Sequence, residues 1–288
     1  TYTPNTGVTD AINVLTLDDA WTDLVGNTGD SATTANFEID TQSPSVTSFI
    51  MSDTALKKNE TATVTIVFSE AVTSFDKSNI TSPNGTVGAM SSTNSITWTG
   101  TYTPNTDTTA ATNLLTLNAT WTDLAGNTPS GSLTSGNFAI DTLSPTLSSV
   151  TIASNNGENT LAKEGDVITL SFTSSETLQN TNPTVFFSIG IINNLGSTVT
   201  KNGNDYTAPY TVLALQTGVV GFTISNIIDA AGNPGATVTT TTNSSAVTVD
   251  IQKPTAAITY DSVGPYKNGE TVRITADFSE DMLQANVP

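Results

Sequence analysis

Acidic residues recur at fixed kinds of position along this sequence. Asp40, Asp141 and Asp250 close the segments Phe37-Glu38-Ile39, Phe138-Ala139-Ile140 and Val247-Thr248-Val249. Glu70, Glu176 and Glu280 follow Phe68-Ser69, Ser174-Ser175 and Phe278-Ser279. Asp123 and Asp229 open Asp-x-x-Gly-Asn segments that end at Asn127 and Asn233. Glu60 and Asp166 each stand just before an alternating apolar stretch. Carboxylates joined by an Asn amide and main-chain carbonyls make an all-oxygen shell. That is the shell calcium takes, with about six to eight ligands at flexible geometry, whereas magnesium demands a tighter octahedron. The same residues also form plain turns, since Asp and Asn bond their own backbone. A single Asp-x-x-Gly-Asn therefore says little, and the recurrence carries the weight.

Other chemistry is excluded by residue type. The chain has no His and no Cys, which leaves no Ser-His-Asp triad, thiol nucleophile, imidazole base or ordinary zinc site. It has no disulfide framework either. The 26 Asp and Glu against 8 Lys and Arg give a formal charge of -18, which argues against nucleic acid and anionic membrane surfaces as partners. Only 12% of residues are charged, against the usual ~25%, so the acidity comes from scarce bases rather than abundant acids. Two carboxylates suffice for glycosidase chemistry, but catalytic pairs are seldom copied along a chain, and an enzyme is not expected. No run reaches the ~18 to 20 apolar residues that cross a bilayer, and Thr1 opens no basic-apolar leader.

The elements that must position these acids follow from a repeat. Thr1-Tyr2-Thr3-Pro4-Asn5 returns as Thr101-Tyr102-Thr103-Pro104-Asn105. Trp21-Thr22-Asp23-Leu24-Val25-Gly26-Asn27 returns as Trp121-Thr122-Asp123-Leu124-Ala125-Gly126-Asn127, and more loosely at Asp229 to Asn233. The period, about one ordinary domain, excludes a solenoid. Cutting at the Asp-Thr-x-Ser-Pro segments predicts four pieces: 1–42 as the back end of a module, 43–143 and 144–252 as whole modules, and 253–288 as the front end of another. The sequence thus reads as a stretch of a longer array. Segments such as Ala62-Thr63-Val64-Thr65-Ile66-Val67-Phe68 alternate as half-buried strands do, with Asn84-Gly85, Gly126-Asn127, Asn202-Gly203 and Asn268-Gly269 as turns. About seven short strands in ~100 residues predict an all-β chain of immunoglobulin-like β-sandwich modules in an extended array. Trp98 and Trp121 are expected in the core or at its rim, and the strand 183–189 is expected to be buried on both faces or to lie against a neighbour.

The segments Lys58 to Glu70, Thr122 to Asn127 and Ile140 to Pro145 together resemble the tandem prokaryotic Ig-like repeats of giant adhesins, extracellular stalks and surface-layer proteins. The resemblance spans essentially the whole chain. It implies an extracellular, cell-surface structural array whose partners are neighbouring modules of the same chain, or other copies in a lattice or filament, and whose junctions are rigidified by calcium. The third module departs from the pattern, with Ser174 in place of Phe68 and Ile251-Gln252-Lys253 in place of Thr-x-Ser.

Sandwich topology assigns the acids to joints, because the chain enters a module at the pole that also carries the loops after the second and sixth strands. Asp40, Glu70, Asp123 and Asn127 are expected to converge between the first two pieces. Glu60, Asp141, Glu176, Asp229 and Asn233 are assigned to the next joint, and Asp166, Asp250 and Glu280 to the last. Asp18 and Asp19 have no counterparts, which predicts solvated surface. The Thr-rich alternation does not suit a flat ice-binding face, because sandwich sheets twist. The competing functional class is a carbohydrate- or protein-binding module, which would cluster exposed aromatics on one face. Phe186-Phe187, Tyr206 and Tyr210 are scattered instead.

Overall fold

The structure is a computed structural model that describes residues 1–179 and 182–282. The chain is all-β, and its one helical element among the described residues is a single 3-10 turn at Lys77–Asn79. Two compact units form, residues 1–145 with 228–235, and residues 146–227 with 236–288.

In the first unit a four-stranded antiparallel sheet runs Gly85–Val87, Thr97–Pro104, Ala62–Phe68, Val46–Met51. Facing strands form smaller sheets, including Thr109–Asn113, Phe138–Asp141 and Ala55–Lys57, the last pair parallel. Strict alternation in Ala62–Phe68 buries Ala62, Val64, Ile66 and Phe68 against Leu115, Leu117, Trp121, Phe138 and Ile140. Trp121 is in the core and Trp98 packs at its margin against Phe75. The second unit repeats the plan. One sheet runs Leu147–Ser154, Val167–Ser174, Asp205–Thr211, Thr200–Asn202, and the other Leu161–Ala162, Thr248–Val249, Gly218–Ser225, Thr184–Ile189, Ile192–Ser197. Ile168, Leu170, Phe172, Phe187 and Ile224 lie at its centre.

Thr184–Ile189 is not buried on both faces. It alternates, with Val185, Phe187 and Ile189 inside and Phe186 exposed, because only one face has a partner sheet.

The repeat is visible in the bonding. Thr109–Asn113 pairs with Phe138–Asp141 through a register break, and Thr9–Asn13 pairs with Phe37–Asp40 through the same break. In both, an Asn amide spans the break: Asn113 Nδ2 donates to Ala110 O and Phe138 O, and Asn13 Nδ2 to Asp10 O and Phe37 O. Packing differs. Tyr102, Leu115, Leu117 and Trp121 are buried, whereas Tyr2, Leu15, Leu17 and Trp21 are exposed, because among the described residues no second sheet covers residues 1–42.

Candidate metal centre and its supporting loops

Three copies of one loop supply the central acid. In Asp123–Asn127 the Asn127 N–H donates to Asp123 Oδ1 at 2.8 Å and Asn127 Nδ2 to Asp123 Oδ2 at 2.8 Å. Asp229–Asn233 closes the same way at 2.7 and 2.7 Å, and Asp23–Asn27 at 2.9 and 2.9 Å. The penultimate Gly adopts φ of +93, +97 and +92° respectively, the left-handed region that Gly enters without a Cβ clash. Those donated bonds, the Asn27 backbone N–H first, hold the Asp23 carboxyl below its ordinary value.

A second device sets the glutamate. The residue before it clamps the entering strand: Ser69 N–H donates to Ser45 O at 2.8 Å and accepts from the Ser45 N–H at its Oγ. Ser175 with Thr146 and Ser279 with Thr255 make the same pair of bonds. The Ser-Glu step therefore places Glu70 beside the chain that enters its sheet.

The third acid ends a strand. Asp40 Oδ1 accepts from Thr9 Oγ1 and Gln42 N, and Asp141 Oδ1 from Thr109 Oγ1 and Leu143 N. The next residue fastens the same corner, Thr142 Oγ1 donating to Asn105 O and Thr41 Oγ1 to Asn5 O.

These devices bring Asp40, Glu70 and Asp123 together, with carboxylate oxygens within 4.8 Å of one another. Asp123 is buried and the other two are half-buried. Burial raises the Glu70 carboxyl above its ordinary value, and the neighbouring charges of Asp40 and Asp123 raise it further. Asp141 and Asp229 repeat the pairing within 4.8 Å. Glu176, in the second unit, holds the place after Ser175 that Glu70 holds after Ser69.

The donor set fits a hard cation: three carboxylates, each with about four lone-pair sites, of which Asp123 uses one per oxygen for Asn127. The asparagines hold the acids and their neighbouring main chain through their amide nitrogens. Asn127 spends its NH2 on Asp123 Oδ2 and Asp40 O, the latter at 3.1 Å. Asn233 is engaged at both ends, its Nδ2 donating to Asp141 O at 2.9 Å and its Oδ1 accepting the Lys58 N–H at 2.7 Å. Asn233 thus fastens the segments of Lys58 and Asp141.

Four other acids stay outside these groups. Glu60 accepts the Lys57 N–H and pairs with the Lys57 ammonium at 3.4 Å. Asp166 accepts Asn156 Nδ2, the Lys163 N–H and the Lys163 ammonium, and these bonds, Asn156 first, hold its carboxyl down at about 2. Asp250 accepts the Gln252 N–H, and Glu280 is exposed. Among the described residues Asp166, Asp250 and Glu280 form no triad. Behind this lies a repeat not singled out from the sequence. Lys57–Glu60, Lys163–Asp166 and Lys267–Glu270 are the same turn, in which the acid at the fourth position accepts the first residue's N–H. The spacing Lys-x-x-acid before each alternating strand was the available signal.

Two packed sheets per core, short strands and loops repeated along the chain define the immunoglobulin-like class. Residues 40–140 match the family described as the bacterial Ig-like domain. Solved structures similar to the chain include an I-band fragment of titin, 12% identical over 82% of this chain and 76% of that one, TM-score 0.38. InvD of Yersinia pseudotuberculosis is 15% identical over 80% and 68%, TM-score 0.30. Native alpha-2-macroglobulin of Escherichia coli is 9% identical over 82% and 78%, TM-score 0.26. The chain has no match among curated proteins. No helix among the described residues is long and apolar enough to cross a membrane.

Proposed function

We propose that this chain is a structural segment of a secreted bacterial surface protein, serving as a stalk, spacer or lattice building block with calcium-stiffened joints. Bacterial Ig-like domains are often extracellular and Ig-like families typically act without catalysis, which supports a mechanical role. The single observation that carries the calcium reading is the convergence of Asp40, Glu70 and Asp123 from three separate segments. Asp40 belongs to the segment preceding the sandwich, while Glu70 and Asp123 belong to the sandwich. A cation shared among them ties the incoming segment to the domain.

The chain's own residues prepare that joint. Asn127 fixes both oxygens of Asp123 and holds the carbonyl of Asp40. The Ser69–Ser45 clamp sets Glu70. Bound calcium supplies positive charge that relieves the repulsion raising Glu70, and its binding free energy goes to the ordered joint alone. The test is calorimetry with and without chelator. EDTA should lower the melting temperature and calcium should restore it, while magnesium should restore less; identical traces in all three buffers would remove calcium from the mechanism.

A further inference from the structure

Residues 1–42 and 253–282 each repeat one half of the first unit's core. Leu15, Leu17 and Trp21 are the counterparts of Leu115, Leu117 and Trp121. Ala256–Tyr260 pairs with Ile274–Phe278 as Val46–Met51 pairs with Ala62–Phe68. Ala256 opposes Phe278 as Val46 opposes Phe68, Ile258 opposes Ala276 as Phe49 opposes Ile66, and Tyr260 opposes Ile274 as Met51 opposes Val64. In the first unit the two halves pack on each other. Phe68 lies against Trp121 with ring centroids 4.5 Å apart, and Val64, Ile66, Leu115 and Leu117 are buried in the same cluster. In residues 1–42 and 253–282 the same faces are bare: Trp21 is 46% exposed, Leu17 54%, Phe278 53% and Ile274 69%.

The polar fittings of these halves are unmatched as well. Asn127 Nδ2 donates to Asp40 O and Asn233 Nδ2 to Asp141 O, so each of these loops grips the end of an earlier strand. Among the described residues Asn27 Nδ2 donates to Asp23 Oδ2 alone, and nothing bonds the carbonyl of Asp250, the counterpart of Asp40 and Asp141. Glu280 follows the Ser279–Thr255 clamp as Glu70 follows the Ser69–Ser45 clamp, yet it forms no triad with Asp250 among the described residues. The member that set lacks is the loop acid, and Asp23 opens a loop closed like Asp123–Asn127.

Contiguous bare apolar faces mark interaction surfaces, and two faces that are the halves of one observed core specify each other. We infer that residues 253–282 of one copy of this chain pack on residues 1–42 of a second copy, making a composite sandwich with the packing of the first unit. In it Phe278 meets Trp21 of the second copy, as Phe68 meets Trp121. The Asn27 amide of the second copy grips the Asp250 carbonyl. Asp23 of the second copy joins Asp250 and Glu280, completing a set that one copy alone cannot form. Neither half has counterparts of residues 79–100, so Ile80 and Val87 go unreplaced in the composite core and the association is reversible. The two faces differ, so the contact is heterologous, and a pair of copies still offers one free face of each kind. The inference gives the lattice building block its contact, and it stands on the apolar faces without the calcium reading.

The experiment is analytical ultracentrifugation of the 288-residue chain. It is run at physiological salt, where like charges are screened beyond about 8 Å, and with calcium present so that the converging acids do not set the outcome. Over a roughly hundredfold rise in concentration the average mass should climb from that of one chain to more than that of two. Trp21→Asp and Phe278→Asp each change an exposed residue outside both cores and each disable one face. Either variant alone should keep the mass of one chain. Mixed in equal amounts they should form a dimer and nothing larger, since one supplies an intact 253–282 face and the other an intact 1–42 face. That rescue also shows both variants to be folded. A wild-type chain that stays monomeric overturns the inference, as does a single variant that associates, or a mixture that does not stop at the dimer. Melting with and without chelator, which tests calcium, is a separate readout that none of these results decides.

Discussion

Asn113 is buried, and its amide spans the register break beside the core, donating to Ala110 O and Phe138 O at 3.0 and 3.1 Å. Asn113→Ala leaves both carbonyls unpaired in the interior and should cost about 1 to 3 kcal/mol in urea unfolding. Glu70 is the other residue whose chemistry is set by its surroundings. Its folded-state pKa lies above its unfolded value, so protonation favours the folded form. That contribution is complete below the ordinary Glu range and is lost as pH rises through the folded value. Without a cation, the melting temperature should therefore carry a decline above that range. In Glu70→Gln the decline should vanish, and the gain in melting temperature on adding calcium should shrink. The acids of this joint were legible in the sequence because each recurs in a separate copy at a place the sandwich topology brings to one pole. A sequence does not tell which way an amide's oxygen and nitrogen point. Only the surrounding partners, Lys58 N–H and Asp141 O for Asn233, decide which end faces where.

Short elements reveal a competition that the sequence does not rank. An acid before a strand can reach across a joint or fold back on its own turn, and Glu60 and Asp166 fold back. The local option wins because it satisfies a main-chain N–H three residues away and an ammonium on the same turn. No distant segment has to be ordered to make it. Asp166, at about 2 against an ordinary 3.8, contributes stability that is full above the ordinary value and is lost as pH falls toward 2. In Asp166→Asn the Lys163 amide should exchange faster at neutral pH, and the acid limb of the stability curve should flatten between about pH 4 and 2. Strand existence and core faces were readable from alternation, as in Ala62–Phe68. The one-sided burial of Thr184–Ile189 was not, since an apolar run such as Val185 to Ile189 has the same composition whether one face or two are covered.

At the scale of the molecule there are two cores, each with its own sheets, and the boundary between them does not follow the linear order of the repeats. Residues 228–235 leave the second unit's strands and count with the first. There Asn233 holds the Lys58 N–H and the Asp141 carbonyl. This matters for anyone dividing the protein into expressible parts. A cut after residue 145 looks natural on the repeat, yet it takes from the first unit a loop whose codons lie more than eighty residues downstream. A fragment of residues 1–145 should show faster exchange at the Lys58 amide than the full chain. A fragment beginning at residue 146 should carry Asp229–Asn233 as a loop with its Asn233 contacts to Lys58 and Asp141 missing. Stability measured on such pieces is then a property of the pieces, and the working unit of inheritance, one repeat, is offset from the working unit of folding.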